Sequence, residues 1–263
     1  MPPTLENPFT PKSAIPTKRL FGGEEKVVKR KLSKEAEERI KEAKEKFVQY
    51  GNHNIFKDQA MFLFAIEKEI IEHAKKADIE WSVADVRKKL TDKITSGEGN
   101  IQSLDLRELH LKFLPSLNKL VNLRELLCSF NNLVTLPNLD KLVNLSILNC
   151  QNNQLTSLPS LDKLVALQDF DCKNNELTSL PSLDKLVNLQ ALICDYNNLK
   201  SLPNLDKLVK LRVLAVSHNQ LSSLHDLDKL INLVFLNCKD NNFSEQEESK
   251  IKSQIPKNCN IDI

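Results

Sequence analysis

The stretch from Ile101 to Phe243 is organised by a strict repeat of apolar and polar positions. Leucines and other apolar residues recur every 22 residues in the pattern L-x-x-L-x-C-x-x-N-x-L-x-x-L-P-x-L-D-K-L-V-N. Seven units begin at Ile101, Leu123, Leu145, Leu167, Leu189, Leu211 and Leu233. One unit of this size cannot bury its own apolar face, so the units must stack and bury a shared core. The repeat therefore predicts a solenoid over residues 101–243.

The first half of each unit predicts a short strand. In the fifth unit, Leu189, Leu192 and Cys194 point inward and the residues between them point outward, because side chains alternate across a strand. The second half predicts a compact return leg. A proline column (Pro115, Pro137, Pro159, Pro181 and Pro203) disfavours a long helix. We therefore expect a short 3₁₀ or α turn on the convex side, with Leu199, Leu202, Leu205, Leu208 and Val209 facing the core.

An asparagine column follows the strand in six of the units. An amide side chain at this turn can donate to and accept from the backbone of neighbouring coils, so that buried peptide groups are paired. We expect a structural ladder formed by Asn131, Asn153, Asn175, Asn197, Asn219 and Asn241.

These columns resemble the 22-residue subclass of leucine-rich repeats found in bacterial internalins and in an intracellular regulatory subunit of protein phosphatase 1. The recurring LPSLDKLVNL segments are also similar to those of leucine-rich effectors of intracellular bacteria. The resemblance covers residues 101–263. It implies an α/β fold, a solenoid with a concave parallel β-sheet and short 3₁₀ or α turns on the convex side. It also implies a scaffold that binds another protein on the concave face.

The flanking segments predict a tail and two caps. Residues 1–32 are rich in proline near the start, contain the basic run KVVKRK, and predict a disordered tail. Residues 33–95 predict a small α-helical domain that docks on the first coil. Its three helices would begin near Ser33, Asp58 and Ser82, and the first would end near Gly51.

The apolar stripes of these helices come from helical spacing. They comprise Ala36, Ile40, Ala43 and Phe47 in the first, Leu63, Ile66, Ile70 and Ala74 in the second, and Val83, Val86, Leu90 and Ile94 in the third. Residues 95–100 would then link this domain to the array. Residues 244–263 predict a C-terminal cap with a helix capped by Ser244 and Glu247 and a last strand carrying Cys259, Ile261 and Ile263.

The cysteines favour buried, reduced thiols. Five of them (Cys128, Cys150, Cys172, Cys194 and Cys238) occupy one inward column, where Leu106 and Val216 stand in the other two units. A residue that exchanges with Leu and Val acts as a small apolar side chain. The chain contains no C-x-x-C pair or Cys/His cluster, so we expect no metal site. No Gly-rich phosphate loop occurs in the array, and we expect no cofactor.

Charge and hydropathy point to a soluble cytoplasmic protein. The formal net charge is +2, which gives no overall preference for nucleic acid. The sequence lacks an apolar run of membrane-spanning length, and its start lacks the charged-then-apolar pattern of a signal peptide. We therefore expect a monomer in the cytosol, or in the host cytosol if the protein is a secreted effector.

Outward residues of the middle strands form the candidate partner site. We expect carboxylates, apolar side chains and two ring-bearing residues there, namely Asp169, Asp171, Ala191, Ile193, Asp195, Tyr196, Val213, Ala215, His218 and Phe235. An exposed apolar area bordered by charged and aromatic residues is typical of a protein-binding surface. A second outward group, Leu127, Phe130 and Ile147, could instead contact the N-terminal helices.

Catalysis is not expected. His218 lies near Asp195 across adjacent strands, but the cysteines point inward and no oxyanion-binding loop accompanies Ser217. The leading hypothesis is a non-enzymatic protein-interaction scaffold, either a secreted bacterial effector or a regulatory subunit, with no small-molecule substrate. The alternative is an adaptor whose basic tail binds anionic membrane or nucleic acid while the repeats present it.

Overall fold

The computed structural model describes residues 47–50, 53–76, 88, 94–97 and 100–263. Its main body is a sheet of nine strands, in which β4 to β11 are parallel and β3 pairs antiparallel at one edge. The strands are β3 (Ile94–Gly97), β4 (Asn100–Asp105), β5 (Glu125–Leu127), β6 (Ile147–Asn149), β7 (Asp169–Asp171), β8 (Ala191–Ile193), β9 (Val213–Ala215), β10 (Phe235–Asn237) and β11 (Asn260–Asp262). Each coil from β4 to β10 contributes one strand, as the 22-residue period predicts.

The strands are in register because equivalent repeat positions pair. Leu148 lies opposite Phe170, which lies opposite Leu192. The central residue of each of these strands is buried, whereas its two neighbours are partly exposed on the other face. The leucine columns and the five predicted thiols therefore form one continuous core along the solenoid.

The return legs are tight turns, not helices. In each leg two successive backbone hydrogen bonds join a residue to the one three positions before it, such as Leu208 to Leu205 and Leu211 to Leu208, both at 2.9 Å. Only the last of these turns, Leu227–Lys229, is long enough to form a 3₁₀ helix among the described residues. The predicted 3₁₀-type convex turns are confirmed.

The valine column of the return leg faces solvent and not the core. Val209 was expected in the core, but it is 43% exposed. The turn that directs Leu208 and Leu211 inward leaves the two residues between them facing solvent. The equivalent residues Val121, Val143, Val165, Val187 and Ile231 are exposed as well.

The six column asparagines bridge neighbouring coils. The Asn175 Nδ2 donates to the carbonyl oxygens of Cys150 at 3.1 Å and Cys172 at 3.0 Å, and its Oδ1 accepts from the backbone N–H of Leu155 at 2.9 Å. The same pattern recurs at the other five asparagines. Each amide thus pairs backbone groups of its own coil and of the preceding one, where no strand hydrogen bond reaches them.

The N-terminal part contains strands as well as a helix. Strands β1 (Phe47–Tyr50) and β2 (His53–Phe56) form an antiparallel pair, and helix α1 (Lys57–Lys76) follows. The prediction that the first helix continues to Gly51 is therefore wrong for Phe47–Tyr50. Aromatic and β-branched residues on both sides of Gly51-Asn52 are typical of a hairpin, and that signal competes with the helical spacing.

Helix α1 matches the second predicted helix, and Leu63, Ile66 and Ile70 are buried as its stripe requires. It begins at Lys57, so Asp58 lies within its first turn and does not precede it. Ile94 belongs to strand β3 and not to a third helix, and residues 95–97 continue that strand where a linker was expected. The predicted tail of residues 1–32, the stripe from Ala36 to Ala43 and the stripe from Val83 to Leu90 lie outside the described residues.

Helix α1 docks on the first coil through a buried glutamine. The Gln59 Oε1 accepts from the backbone N–H of Ile101 at 2.8 Å, and its Nε2 donates to the Asn100 side chain and to the Lys119 carbonyl oxygen, both at 3.1 Å. Further along the helix, the Glu69 Oε1 accepts from the backbone N–H of Lys112 at 2.9 Å. These contacts cover the end of the leucine core at the first coil.

The other end is covered by helix α2 (Glu245–Gln254) and strand β11. The Ser244 hydroxyl caps the helix by accepting from the backbone N–H of Glu247 at 3.2 Å. The Glu247 carboxylate does not complete a capping box but accepts from the backbone N–H of Leu224 at 3.1 Å, which joins the helix to the preceding coil. Ile251 is buried, and Cys259, Ile261 and Ile263 pack against the core from the last strand.

Candidate protein-binding surface on the concave face

The outward residues of β4 to β11 form two rows that run across the strands. The first row consists of Ser103, Glu125, Ile147, Asp169, Ala191, Val213, Phe235 and Asn260. The second row consists of Asp105, Leu127, Asn149, Asp171, Ile193, Ala215, Asn237 and Asp262. We call these sixteen residues the central rows, because they occupy the middle of the concave face.

The central rows hold an apolar patch over β8, β9 and β10. Ala191, Ile193, Val213 and Phe235 are partly exposed there, and Val234 extends the patch at its border. Ala215 is in the same row but buried, so it supports the patch and offers it little surface. The structure therefore brings four of the predicted apolar site residues together in one accessible area.

Two carboxylates border this patch on β7. Asp169 is exposed, and its carboxylate makes no hydrogen bond or ion pair with any described residue. The Asp171 Oδ1 accepts from the backbone N–H of Lys173 at 3.1 Å. Partial burial raises the pKa of Asp171 above its ordinary value, and the hydrogen bond from Lys173 opposes that shift. The two acids thus stand beside apolar neighbours, without a basic side chain in either central row.

Asp195 is buried, and its carboxylate is hydrogen-bonded within the protein. It is only 8% exposed, and its Oδ1 accepts from the backbone N–H of Ser217 at 2.9 Å and from the Ser217 hydroxyl at 2.5 Å. The Asn237 amide in turn donates to that hydroxyl at 3.2 Å. Ser217, which the strand alternation placed outward, is itself buried. This network ties three coils together beneath the surface and occupies the carboxylate that was expected to face a partner.

Tyr196 and His218 form an aromatic edge beside the central rows. Their rings stack with centroids 4.1 Å apart and an angle of 14° between planes. The His218 Nε2 lies 3.2 Å from the Asp240 carboxylate, and His218 and Asp195 line the same cleft. The Tyr196 side chain remains 53% exposed, so its ring is accessible from the concave side.

The aromatic edge belongs to a column with an unusual backbone. One residue per coil, directly before the asparagine column, has a positive φ between 50° and 61°, and none of them is glycine. The column comprises Glu108, Phe130, Asn152, Asn174, Tyr196, His218 and Asp240. Asparagine tolerates this left-handed region, whereas bulky rings do so at a cost. Sequence inspection missed this feature, because a glycine, which would mark a positive φ, is absent from the array.

A cleft lies between the aromatic edge and the second central row. Its volume is about 350 Å³, and its floor is formed by Asp195 and Ser217. Lys173 lines one end and Lys239 the other, while Tyr196 and His218 form one wall. The cleft is open, and its lining is mainly polar.

Within the described ranges, no contact joins the N-terminal elements to the second outward apolar group. Phe130 is 51% exposed, and Leu127 and Ile147 are partly exposed. Helix α1 instead contacts the first coil through Gln59 and Glu69.

The thiols of the inward column are buried. Burial raises the pKa of Cys128 to about 12, and it also raises the pKa of Cys150. The Cys172 Sγ lies 3.5 Å from the Cys194 Sγ, and this contact together with burial raises the pKa of Cys172. A thiol with a raised pKa is a poor nucleophile and a poor metal ligand at neutral pH.

The remaining histidines do not form a cluster in the described part of the chain. His110 and His225 are exposed, and His225 contacts the Ser223 hydroxyl at 3.0 Å. The side chains of His53 and His73 lie outside the described residues. No helix within the described ranges has the length and apolar character needed to cross a membrane.

Comparison with known proteins agrees with this architecture. A family model of leucine-rich repeats, which spans two copies of the repeat, matches residues 121–163 and 143–185. None of the curated proteins matches the sequence. The repeat array therefore consists of leucine-rich repeats, as its repeat columns predict.

Three similar solved structures come from bacteria. A leucine-rich repeat protein of Leptospira interrogans is 32% identical, with 62% of this chain and 43% of that chain covered and a TM-score of 0.57. YopM from Yersinia enterocolitica is 29% identical, with 69% and 38% covered and a TM-score of 0.51. YopM of Yersinia pestis, described as a leucine-rich effector protein, is 33% identical, with 54% and 37% covered and a TM-score of 0.46. The chain thus spans less than half the length of each of these structures.

Proposed function

We propose that this protein is a non-enzymatic scaffold that binds a partner protein on the concave face of its repeat array. The observation that carries the proposal is the accessible apolar patch of Ala191, Ile193, Val213 and Phe235 in the centre of the sheet. Apolar side chains that line a concave surface and are bordered by polar and aromatic groups are typical of protein interfaces. Leucine-rich repeat proteins are generally interaction scaffolds, which supports the same conclusion.

The aromatic edge supports a binding role because large rings dominate interface energetics. Tyrosine is enriched among the residues whose truncation weakens protein complexes most. Tyr196 is held by its stack on His218, and a fixed ring loses little conformational freedom when a partner covers it. The patch and the edge together present apolar surface. Burial of this surface by a partner would contribute roughly 25 cal/mol of favourable binding free energy for each Å².

The broader role that we propose is that of a bacterial effector acting in a host cell, or of a regulatory subunit, working as a monomer in the cytosol. The resemblance to repeat proteins of Leptospira and Yersinia supports the bacterial reading. The partner would be a folded protein or an exposed segment of one.

The test compares two double variants of the full chain. Ile193→Asp with Phe235→Asp places two charges in the concave patch, whereas Val187→Asp with Ile231→Asp places two charges on the exposed convex column. Both proteins are used to capture partners from host-cell and bacterial lysates, with mass spectrometry as the readout. We expect the concave variant to lose the proteins that the wild type and the convex variant retain. Equal capture by all three would contradict the proposal.

Salt dependence separates this proposal from the alternative in which the basic N-terminal tail is the binding element. Binding through a basic tail weakens steeply as ionic strength rises, because bound counterions are released. An apolar concave contact is much less sensitive. Retention of captured proteins at high salt supports the concave proposal, and loss of all captured proteins at high salt contradicts it.

A further inference from the structure

The charged residues of the central rows all have the same sign. Asp105, Glu125, Asp169, Asp171 and Asp262 are acidic, and neither row contains a lysine or an arginine. The basic residues stand outside these rows. Arg124 and Arg212 precede their strands, and Arg107, Lys173 and Lys239 follow theirs. The only charged groups that a partner meets along the centre of the face are therefore carboxylates.

The acids differ in how far their charge is already compensated. Asp105 forms an ion pair with Arg107 at 2.8 Å, and Glu125 accepts from the Ser103 hydroxyl at 2.9 Å. Asp169 has no such contact with the described residues. Asp171 accepts from the backbone N–H of Lys173, and the charge of Lys173 acts with this hydrogen bond to lower the pKa of Asp171 against the effect of burial. No ion pair joins Glu125, Asp169, Asp171 or Asp262 to a described residue, and two of these four carboxylates lie together on β7.

The neighbours of Asp169 and Asp171 determine which partners can cover these two carboxylates. In register, Asp169 lies between Ile147 and Ala191, and Asp171 lies between Asn149 and Ile193. A partner that covers the adjacent apolar patch also removes water from β7. If it supplies no cation there, it buries unpaired carboxylates, and such burial opposes binding strongly. The site therefore rejects neutral or acidic partners at this position as well as attracting basic ones.

We propose that the partner segment is basic at one end and apolar at the other. A lysine or arginine side chain would contact Asp169 and Asp171 on β7, and apolar side chains would pack on Ile193, Val213 and Phe235. Strands in a sheet are about 4.8 Å apart, so β7 and β10 are roughly 14 Å apart. The basic residue and the apolar residue over Phe235 would be separated by about that distance. This inference rests on the proposed function and adds the chemistry of the partner.

The experiment selects peptides from a random phage-displayed library on the immobilised full-length protein. The selection is repeated on Asp169→Lys with Asp171→Lys, and on Asp169→Asn with Asp171→Asn as the variant that changes shape least. Asp162→Lys with Asp184→Lys, at exposed convex positions, is the matched control for charge. Consensus peptides are synthesised, and their affinities for every variant are measured by fluorescence anisotropy. Circular dichroism verifies that each variant is folded.

We expect peptides selected on the wild type to be enriched in lysine or arginine at one position and in large apolar residues at another. Their affinity should fall about tenfold or more on the concave charge reversal and stay unchanged on the convex one. Selection on the reversed protein should enrich aspartate or glutamate at the same position.

Two failures are distinguishable. If the selected peptides lose binding to Ile193→Asp with Phe235→Asp but carry no basic residue, or bind the Asp169→Lys and Asp171→Lys protein equally well, this inference is wrong and the proposed function stands. Enrichment of acidic peptides that depend on Lys173 and Lys239 would also overturn the inference. If no selected peptide depends on Ile193 and Phe235, the proposed function itself fails.

Discussion

Tyr196 and His218 occupy the same position in adjacent coils and stack with their ring centroids 4.1 Å apart. Both have left-handed backbone conformations, with φ of 54° and 50°. A left-handed conformation costs roughly 1–2 kcal/mol for a residue with a bulky side chain, and an aromatic stack returns about 0.5–1.5 kcal/mol. Two coils satisfy the same position with Asn152 and Asn174, which tolerate it better. The rings therefore occupy a position that asparagine tolerates better, which is consistent with the proposed role of this edge in binding.

Replacing Tyr196 with asparagine should separate folding from binding. The variant loses the stack on His218 but relieves the backbone, so we expect the free energy of unfolding to stay within about 1 kcal/mol of the wild type. Partner or peptide binding should weaken, because the exposed ring is lost. Chemical denaturation and anisotropy measure the two quantities. A variant that is clearly less stable yet binds normally would show that the ring serves the fold.

The asparagine ladder should be sensitive to single substitutions. In Asn175→Ala, the buried backbone N–H of Leu155 loses its acceptor, while the carbonyl oxygens of Cys150 and Cys172 each keep one other asparagine donor. The amide also donates to the Lys173 carbonyl oxygen at 3.3 Å, so three hydrogen bonds are lost besides the orphaned N–H. Together these losses should lower the free energy of unfolding by about 2–4 kcal/mol. Denaturant unfolding followed by circular dichroism measures this loss.

Asn198 provides the matched control for the ladder. It is exposed, and its side chain accepts only a long hydrogen bond of 3.4 Å from Gln220. Asn198→Ala should change stability by less than about 0.5 kcal/mol. Similar losses for both variants would show that the ladder is not what joins the coils.

The buried thiols should make the protein sensitive to alkaline pH. Burial raises the pKa of Cys128 and of Cys238 from 9.0 to about 12. The folded state therefore keeps these protons after the unfolded chain has lost them. The stability is intact below pH 9 and falls as the pH rises from 9 towards 12, by up to about 1.4 kcal/mol per pH unit for each thiol.

Cys128→Val isolates one of these thiols, with Val216 as a natural occupant of the same column. Between about pH 8 and pH 10.5, the wild type should lose about 2 kcal/mol more stability than the variant. Urea unfolding at the two pH values measures the difference. Parallel pH dependence in both proteins would show that Cys128 does not titrate differently on folding.

The N-terminal region shows where a helical pattern misleads. Phe47 fits the helical spacing of the residues before it, yet it pairs with Phe56 in a hairpin. Ile94 fits the spacing of a third helix, yet it pairs with Leu104 at the edge of the main sheet. In both cases an apolar residue can satisfy either pattern, and pairing with a distant strand decides between them.

The sequence by itself determined the solenoid, because a 22-residue period with an inward leucine spine has only one way to bury its apolar residues. It also determined the asparagine ladder and the buried thiols, since each recurs in one column and repeats one environment. Only the tertiary structure decided which outward residues are available. Asp195 alternates outward like Asp171, but the Ser217 hydroxyl and backbone N–H of the next coil bury it, whereas Asp169 stays exposed. Alternation along a strand is a local property, while the accessibility of a side chain depends on what the neighbouring coil places beside it.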